Sequence, residues 1–508
     1  MSFGALRQRL RAFLLPTELP QLPLSAGRDA LLVRLAGLLY FIAFASLWPQ
    51  LLGLFGTQGL YPTHLVLGSI SADLGVSKYW LLPTFLWLSP TDTALHLVCG
   101  AGILASLSVV ALRLLWPSLL VAWLCHLSLL SIGGAFLSFQ WDALQSELGL
   151  LLLIAVPVRY RRPEPLVLVQ LGRWLLLWLL VRVVFGAGYV KLASGDPTWR
   201  SLTALHHHFE TQPLPTLLGY YAHALPSLIK KALVVCTLVC ETLLPPLFFI
   251  PRLRPYLLVP TVLLQVGILL TGNYGYFNLQ VLWLCLLLLP PHWLSRLQPV
   301  PAEVGDEPSQ LQQPRHLLTA LPRLLGALIL LTASLGHLLL TLRTEQTLPT
   351  PIRRAMQVTA PIHAVSHYGP FAAMTTTRPE LIIEGSQDGQ TFREYTFRYK
   401  PGDIHRAPRW NAPHQPRLDW QMWFAAMGKP SDSPWLEVLL LRLLEGSPDV
   451  LWLFDHDPFA GQRPRYLRVT HYQYRFTTLA EKQQTGAYFV RHSPLPYVSP
   501  VGLTAADP

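Results

Sequence analysis

Long apolar runs recur through the first two-thirds of the chain, and no other feature limits the fold as much. A helix that crosses a bilayer needs about 20 mostly apolar residues, with roughly 17 as a floor. About nine segments meet or approach that length, at 30–53, 91–111, 115–134, 138–157, 173–191, 232–250, 256–272, 276–294 and 321–342. The fourth and seventh are the shortest or most polar of them. The aromatic run at 79–88, with Tyr79, Trp80 and Trp87, is too short to cross and reads as a helix lying at the interface. Only 13% of the residues are charged, against about 25% in ordinary soluble chains. The expected fold is a polytopic α-helical membrane domain followed by a soluble, mainly-β, sandwich-like C-terminal domain.

The net charge of +11 would suggest nucleic acid in a soluble protein. Here the arginines flank apolar runs, as they do in membrane proteins, and no nucleic-acid partner is expected. Arg113, the Arg159–Arg161–Arg162 cluster, Arg252 with Arg254, and Arg296 with Arg315 and Arg323 fall in alternate loops, on the side of the arginine-rich N-terminus. Lysine and arginine favour the cytoplasmic side of short loops. Residues 1–29 then form a cytoplasmic tail, 30–343 the membrane domain and 350–508 an extracytoplasmic domain. Arg200, Lys230 and Lys231 in the fifth–sixth loop weaken the contrast. Residues 298–315, rich in Pro, Gln and Glu, read as a linker. No removable signal peptide is read at the N-terminus.

After residue 350 the pattern changes. Leu381-Ile-Ile-Glu and Tyr395-Thr-Phe-Arg-Tyr alternate as strands do, with a glycine-bearing turn at Gln387–Gln390 between them. A short amphipathic helix is expected at 434–445, and a last strand pair near 465–478.

Ionisable groups inside a bilayer cost about 2.5–3.5 kcal/mol each on insertion scales. Glu147, Arg182 and Glu241 lie within spans, and Arg182 is expected to pair with Glu241, Glu147 or both. Such a pair either fixes helix packing or lines a polar cavity. Gly186-Ala187-Gly188 allows close helix approach. Lys191 ends its helix at the non-cytoplasmic boundary; it either snorkels to the headgroups or, buried, has its pKa lowered enough to act as a base. His206, His207 and His208 are consecutive, so their side chains diverge, and no metal is expected. Cys236 and Cys240 read as small packing residues within an apolar segment. Asn273, Tyr274, Tyr276 and Asn278 form a polar aromatic turn. No nucleotide loop, nucleophile elbow or paired catalytic carboxylates occur, and no cofactor is implied.

Several long motifs carry a family resemblance. FLSFQWDALQSELG (136–149), the run from Arg182 through Trp199, HFETQPLP (208–215), TGNYGYFN (271–278), RPELIIEGSQDGQTFREYTFRYKPGD (378–403) and APHQPRLDWQMWFAA (412–426) resemble those of lipase maturation factors, nearly end to end. The resemblance carries over to Gln140, Asp142, Glu147, Arg182 and Glu241 in the membrane domain. It also carries over to Lys191, Trp199, His208, Glu210, Gln212, Asn273 and Asn278, and to Asp419, Trp420 and Trp423. It implies a protein of the endoplasmic reticulum membrane, or of the inner membrane in a bacterium, that helps exported proteins such as lipases mature. The tripled histidine and the lack of cysteines in the C-terminal domain depart from the family pattern. The exposed aromatics of LDWQMWFAA, with Asp419, Trp420 and Trp423, are then candidates for client contact, or else domain core. The segment around Lys191 is also similar to the base-bearing segment of vitamin K-dependent gamma-carboxylases. That likeness implies a second reading, a membrane enzyme using Lys191 as base. Arginine outnumbers lysine and no Asn-x-Ser/Thr sequon occurs, which leans towards a bacterial source.

Overall fold

The computed structural model describes residues 28–156, 166–290, 314–342 and 348–503. The N-terminal tail before Arg28, the arginine cluster at 159–162 and most of the 298–315 linker lie outside the described residues.

Six helices among the described residues are long and apolar enough to cross a membrane: Ala30–Phe55, Asp92–Val110, Leu115–Ile132, Gln170–Ala193, Arg254–Thr271 and Ala320–Thr341. A seventh crossing counts if Leu217–His223 and Ser227–Leu243, bent by 115° across a short break, act as one span. The chain is therefore a multi-pass membrane protein. Nine spans of crossing length are not found among the described residues. The fourth and eighth segments are helices of only 16 residues (Gln140–Ala155) and 12 residues (Phe277–Leu288). At 1.5 Å per residue they reach about 24 and 18 Å, short of a hydrocarbon core of about 30 Å. Both begin in polar turns that other protein groups satisfy, so their ends need not reach water. The aromatic run near residue 80 forms a short helix, Lys78–Leu81, and a turn at Phe85–Trp87, with Tyr79, Trp80 and Phe85 exposed.

The amphipathic helix Thr350–Thr359 packs back on Pro314–Thr341, and Gly336 lies against Ile352 and Met356. Strands follow. β1 (Arg378–Ser386), β2 (Arg393–Glu394), β5 (Tyr466–Phe476) and β6 (Phe489–Val501) form one antiparallel sheet in the order β2-β1-β5-β6. β3 (Thr396–Phe397) and β4 (Phe454–His456) form a separate two-stranded ribbon. The expected sandwich is thus absent from the described residues. Helices take the place of a second sheet: Arg417–Met427 packs on β1, and Pro434–Glu445 packs towards β5 through Trp435, Leu436, Leu439, Leu440 and Leu443. That apolar stripe shares one buried core with Leu467 and Val469 of β5, which is the usual pairing of one sheet face with an amphipathic helix.

β1 is central and buried along its whole length, with Ile382 opposite Thr470. The turn after it carries Gly389 at positive φ, and the Asp388 carboxylate accepts from the Gln390 and Thr391 amides at 2.8 and 2.7 Å. The expected last strand pair is β5 with β6, ending well beyond residue 478. β6 lies at the free edge and carries Pro494, Pro496 and Pro500; the opposite edge, β2, is two residues long.

Candidate functional site

The polar residues of the membrane domain converge on the C-terminal region through three buried clusters. In the first, Glu147 on the Gln140–Ala155 helix ion-pairs with Arg182 on Leu166–Ala193. The hydroxyl of Tyr368 donates to the same carboxylate at 2.8 Å, and the Ser366 amide at 3.3 Å. Gly186 lets the chain pass: a Cβ there would meet the Tyr368 carbonyl at 2.5 Å. A buried ion pair holds when its remaining valences are also bonded, and here the extra donors come from the segment leading into β1.

Glu241 is not a partner of Arg182. It pairs with Lys191, Nζ to Oε2 at 2.5 Å. The helix widens to a π-turn at Val239–Leu243, and Gly188 would touch the Glu241 Cβ at 2.7 Å if it had a Cβ itself. The glycine pair is therefore a packing device. Lys191 is 5% exposed and lies 5.5 Å from the Trp199 ring centre. It does not snorkel, because its charge is matched inside the protein.

The second cluster has Asp142 at its centre. Arg417 donates to both its oxygens, each at 2.8 Å, and to the Phe136 carbonyl at 2.6 Å. Tyr276 donates to Asp142 at 2.7 Å. Gln50 adds a second clamp, donating to the Gln415 carbonyl and accepting from the Arg417 amide, each at 2.8 Å. The bidentate geometry is the strong form of carboxylate–guanidinium contact. Gln140 opens the same helix, half-buried, and takes part in none of these bonds.

The third cluster joins the loop after Trp199 to the sheet. Arg378, fully buried, donates to the carbonyls of Glu210, Gln212 and Pro213 at 2.6, 2.5 and 3.0 Å, and to Glu380 at 2.7 Å. Lys400 holds the other Glu380 oxygen at 2.7 Å. The Asn273 amide donates to the Arg409 carbonyl at 2.8 Å and its oxygen accepts from the Asn411 amide at 2.9 Å. Tyr274 donates to Gln212 at 2.7 Å and lies 3.0 Å from His208 Nε2. Burial, then the charge of Lys191, pushes the His208 pKa down to about 4. Burial raises Glu210 above the ordinary carboxylate range, and His223 lies 3.3 Å away. Trp199 donates to the Phe371 carbonyl at 3.0 Å. Asn278 is not a loop residue: it sits in the first turn of Phe277–Cys285 and donates to Gln265 at 2.8 Å.

The structure corrects the reading of Asp419, Trp420 and Trp423 as an exposed contact surface, because all three are buried. Asp419 accepts from the Tyr399 and Lys400 amides at 2.7 and 2.8 Å. Trp420 packs edge-on to Trp141 and Phe139 with ring centres 4.9 and 5.5 Å away, and Trp423 donates to the Thr211 carbonyl at 2.8 Å. These aromatics are the joint between the two parts of the chain.

Arg417 was not singled out in the sequence, although an acidic residue as apolar in its surroundings as Asp142 demands a cation. The two partners lie 275 residues apart, in different parts of the chain, so no local pattern links them.

The clusters bind structure to structure. A cavity of about 10 Å³ beside Asp142 and Arg417 has room for about one water. A second, of about 240 Å³, opens between the end of the first span and the C-terminal region. Neither reaches Lys191. Among the described residues no three His, Cys, Asp or Glu side chains gather as metal ligands. His206 turns to Ser227 and His208 to Tyr274, the divergence expected of neighbours on a helix.

Residues 27–296 match the lipase maturation factor transmembrane domain, and residues 364–499 match the lipase maturation factor C-terminal domain. The chain belongs to the lipase maturation factor family. It is 34% identical to lipase maturation factor 2 of Gallus gallus over 93% of this chain and 81% of that protein. The human lipase maturation factor 2 is also 34% identical, over 88% of this chain and 79% of its own length. Lipase maturation factor 1 of Mus musculus is 30% identical over 93% and 86%. No solved structure matches the chain. In this member of the lipase maturation factor family, each of the three clusters joins a segment of the matched transmembrane domain to residues at or beyond position 364.

Proposed function

We propose that this chain assists the folding or maturation of exported proteins such as lipases, with its C-terminal region outside the cytoplasm. The observation that carries the reading is the match of both of its parts to proteins named as lipase maturation factors, in one chain and in the same order. The loops around residues 50, 136–142, 194–215 and 273 all bond to the C-terminal region, and arginine placement assigns them to the far side of the membrane provided that the short helices Gln140–Ala155 and Phe277–Leu288 also carry the chain across inside the bundle. The membrane is that of the endoplasmic reticulum by family, or the inner membrane in a bacterium.

The clusters serve to hold the C-terminal region rigidly over the bundle. Clients then meet the outer face of the Arg417–Met427 helix, where Phe424 and Met427 are exposed one turn apart, while Trp420 and Trp423 anchor its inner face. The carboxylase-like alternative needs a neutral lysine beside a substrate, and Lys191 instead holds Glu241.

The test is complementation. The chain is expressed with a secreted lipase in cells lacking their own lipase maturation factor, and active lipase per lipase antigen is measured in the medium. A rise over the empty vector is expected, and its loss with Phe424→Ser/Met427→Ser at unchanged expression. Correctly inserted protein that leaves specific lipase activity at the vector level refutes the lipase reading. Protease protection that leaves residues 350–508 in the cytosol refutes the orientation.

A further inference from the structure

The cleft of about 240 Å³ borders the second cluster at Gln50 but is not lined by Asp142 or Arg417. Its walls come from two distant stretches: Pro49 and Gln50 on one side, and Arg398, Tyr399, His414 and Trp452 on the other. It is smaller than the roughly 300–1,000 Å³ that encloses a drug-sized molecule, so it suits a head group or a small ion with its waters.

Its depth follows from packing. Gly53, beyond Pro49 on the same span, lies against the Asp449 carbonyl and Leu453, where a Cβ would come within 2.5 Å of backbone. Residues 51–55 are therefore covered by protein, and lipid can reach the span only up to about Trp48. Trp48 is itself exposed, as tryptophans at the membrane–water boundary are. The cleft opens at that level.

Its cation is Arg398. Arg398 lies 4.2 Å from the Trp452 ring centre and donates to the Trp452 carbonyl. Its Nε has no hydrogen-bond partner, and among the described residues no carboxylate lies within ion-pair reach of it. Arg406 and Arg409 both close on the Arg398 carbonyl and share a single carboxylate, Asp455, at 3.3 and 3.6 Å. Asp419 also borders the cleft, but two backbone amides hold one of its oxygens. Arg398 is thus the one guanidinium among the cleft's lining residues, with Arg406 and Arg409 behind it.

We propose that this cleft binds a phosphate group at the level of the lipid head groups, through Arg398 with Trp452 as its apolar wall. A phosphate oxygen accepts from the guanidinium of Arg398, and planar guanidinium suits phosphate better than ammonium does. The proposal is independent of the identity of any client.

The full chain in neutral detergent is incubated with a mixture of phosphatidylglycerol and phosphatidylcholine, and native mass spectrometry reads the lipid retained. A parallel arm adds inorganic phosphate alone and follows thermal unfolding. Selective retention of phosphatidylglycerol is expected, with Arg398→Gln weakening it about tenfold or more, the scale of one charge-assisted bond. Arg398→Lys should recover only part. If Arg398→Gln fails to fold, Arg409→Gln, beside the Arg398 carbonyl, replaces it, with a loss of about twofold expected from weaker long-range attraction. Retained lipid that inorganic phosphate displaces identifies the phosphate as the recognised group. Stabilisation by inorganic phosphate without lipid retention moves the source to a free anion. Equal retention of both lipids, or retention indifferent to the arginine variants, overturns the proposal.

Discussion

Replacing Arg417 by Met isolates the contribution of the ion pair that joins the two parts of the chain. Arg417 is 1% exposed and Asp142 0%. The variant removes two bonds of 2.8 Å to Asp142 and one of 2.6 Å to the Phe136 carbonyl, leaving a carboxylate sealed from water. Removing one partner of a buried pair costs about 3–5 kcal/mol, whereas replacing both with apolar or neutral groups is often neutral. Arg417→Met alone should therefore destabilise by about 4 kcal/mol. Asp142→Asn keeps an acceptor for Tyr276 and should recover most of that loss when combined with Arg417→Met. At roughly 2 °C per kcal/mol for a large chain, the single variant should unfold about 8 °C lower. Fluorescence-detected size exclusion after heating in detergent reads the shift. Additive losses in the double variant, or a single variant as stable as the parent, would refute the claim that the pair acts as a unit.

Lys191→Met should destabilise by about 3–5 kcal/mol by stranding Glu241, seen in the same assay. Lys191→Arg should keep lipase maturation near the parental level, and its complete loss at normal expression would restore the base reading. His208 and His414 both have pKa values pushed down to about 4 by burial, below an unfolded value near 6.5. The unfolded chain then binds more protons between these values, so their contribution is full above about pH 6.5 and falls as pH drops towards 4. His208→Asn should flatten the midpoint-versus-pH curve in that window. Gly186→Ala should cost about 1–3 kcal/mol by overpacking, since its new methyl would press on the Tyr368 carbonyl; unchanged thermal stability would contradict the close approach.

Much of the membrane architecture was legible because six of the nine apolar segments are helices of crossing length at nearly the expected bounds. The error lay in length. Gln140-Trp-Asp and Tyr276-Phe-Asn were counted into spans, although their polar groups are satisfied by Arg417 and Gln265. Hydropathy cannot tell a helix that meets lipid from one sheltered by its neighbours. Glu147 and Arg182 were paired correctly because both lie in apolar helices where a lone charge is costly. Glu241 was assigned to the wrong cation because a lysine at a helix end reads as a boundary residue until the π-turn brings the carboxylate to it. In the C-terminal region, alternation identified the central strand, but period two does not reveal what covers it. Helices with Leu436 and Trp420 occupy the place assigned to a second sheet.

The prolines of β6 have a consequence for any protein that handles incompletely folded chains. An open sheet border is a template on which a passing extended peptide can zip up. Pro494, Pro496 and Pro500 withhold three amide donors along that border, and the other border is too short to template anything. Such a protein can sit beside chains whose own strands are still unpaired without being captured by them, so selection among clients falls to side chains rather than to main-chain adhesion.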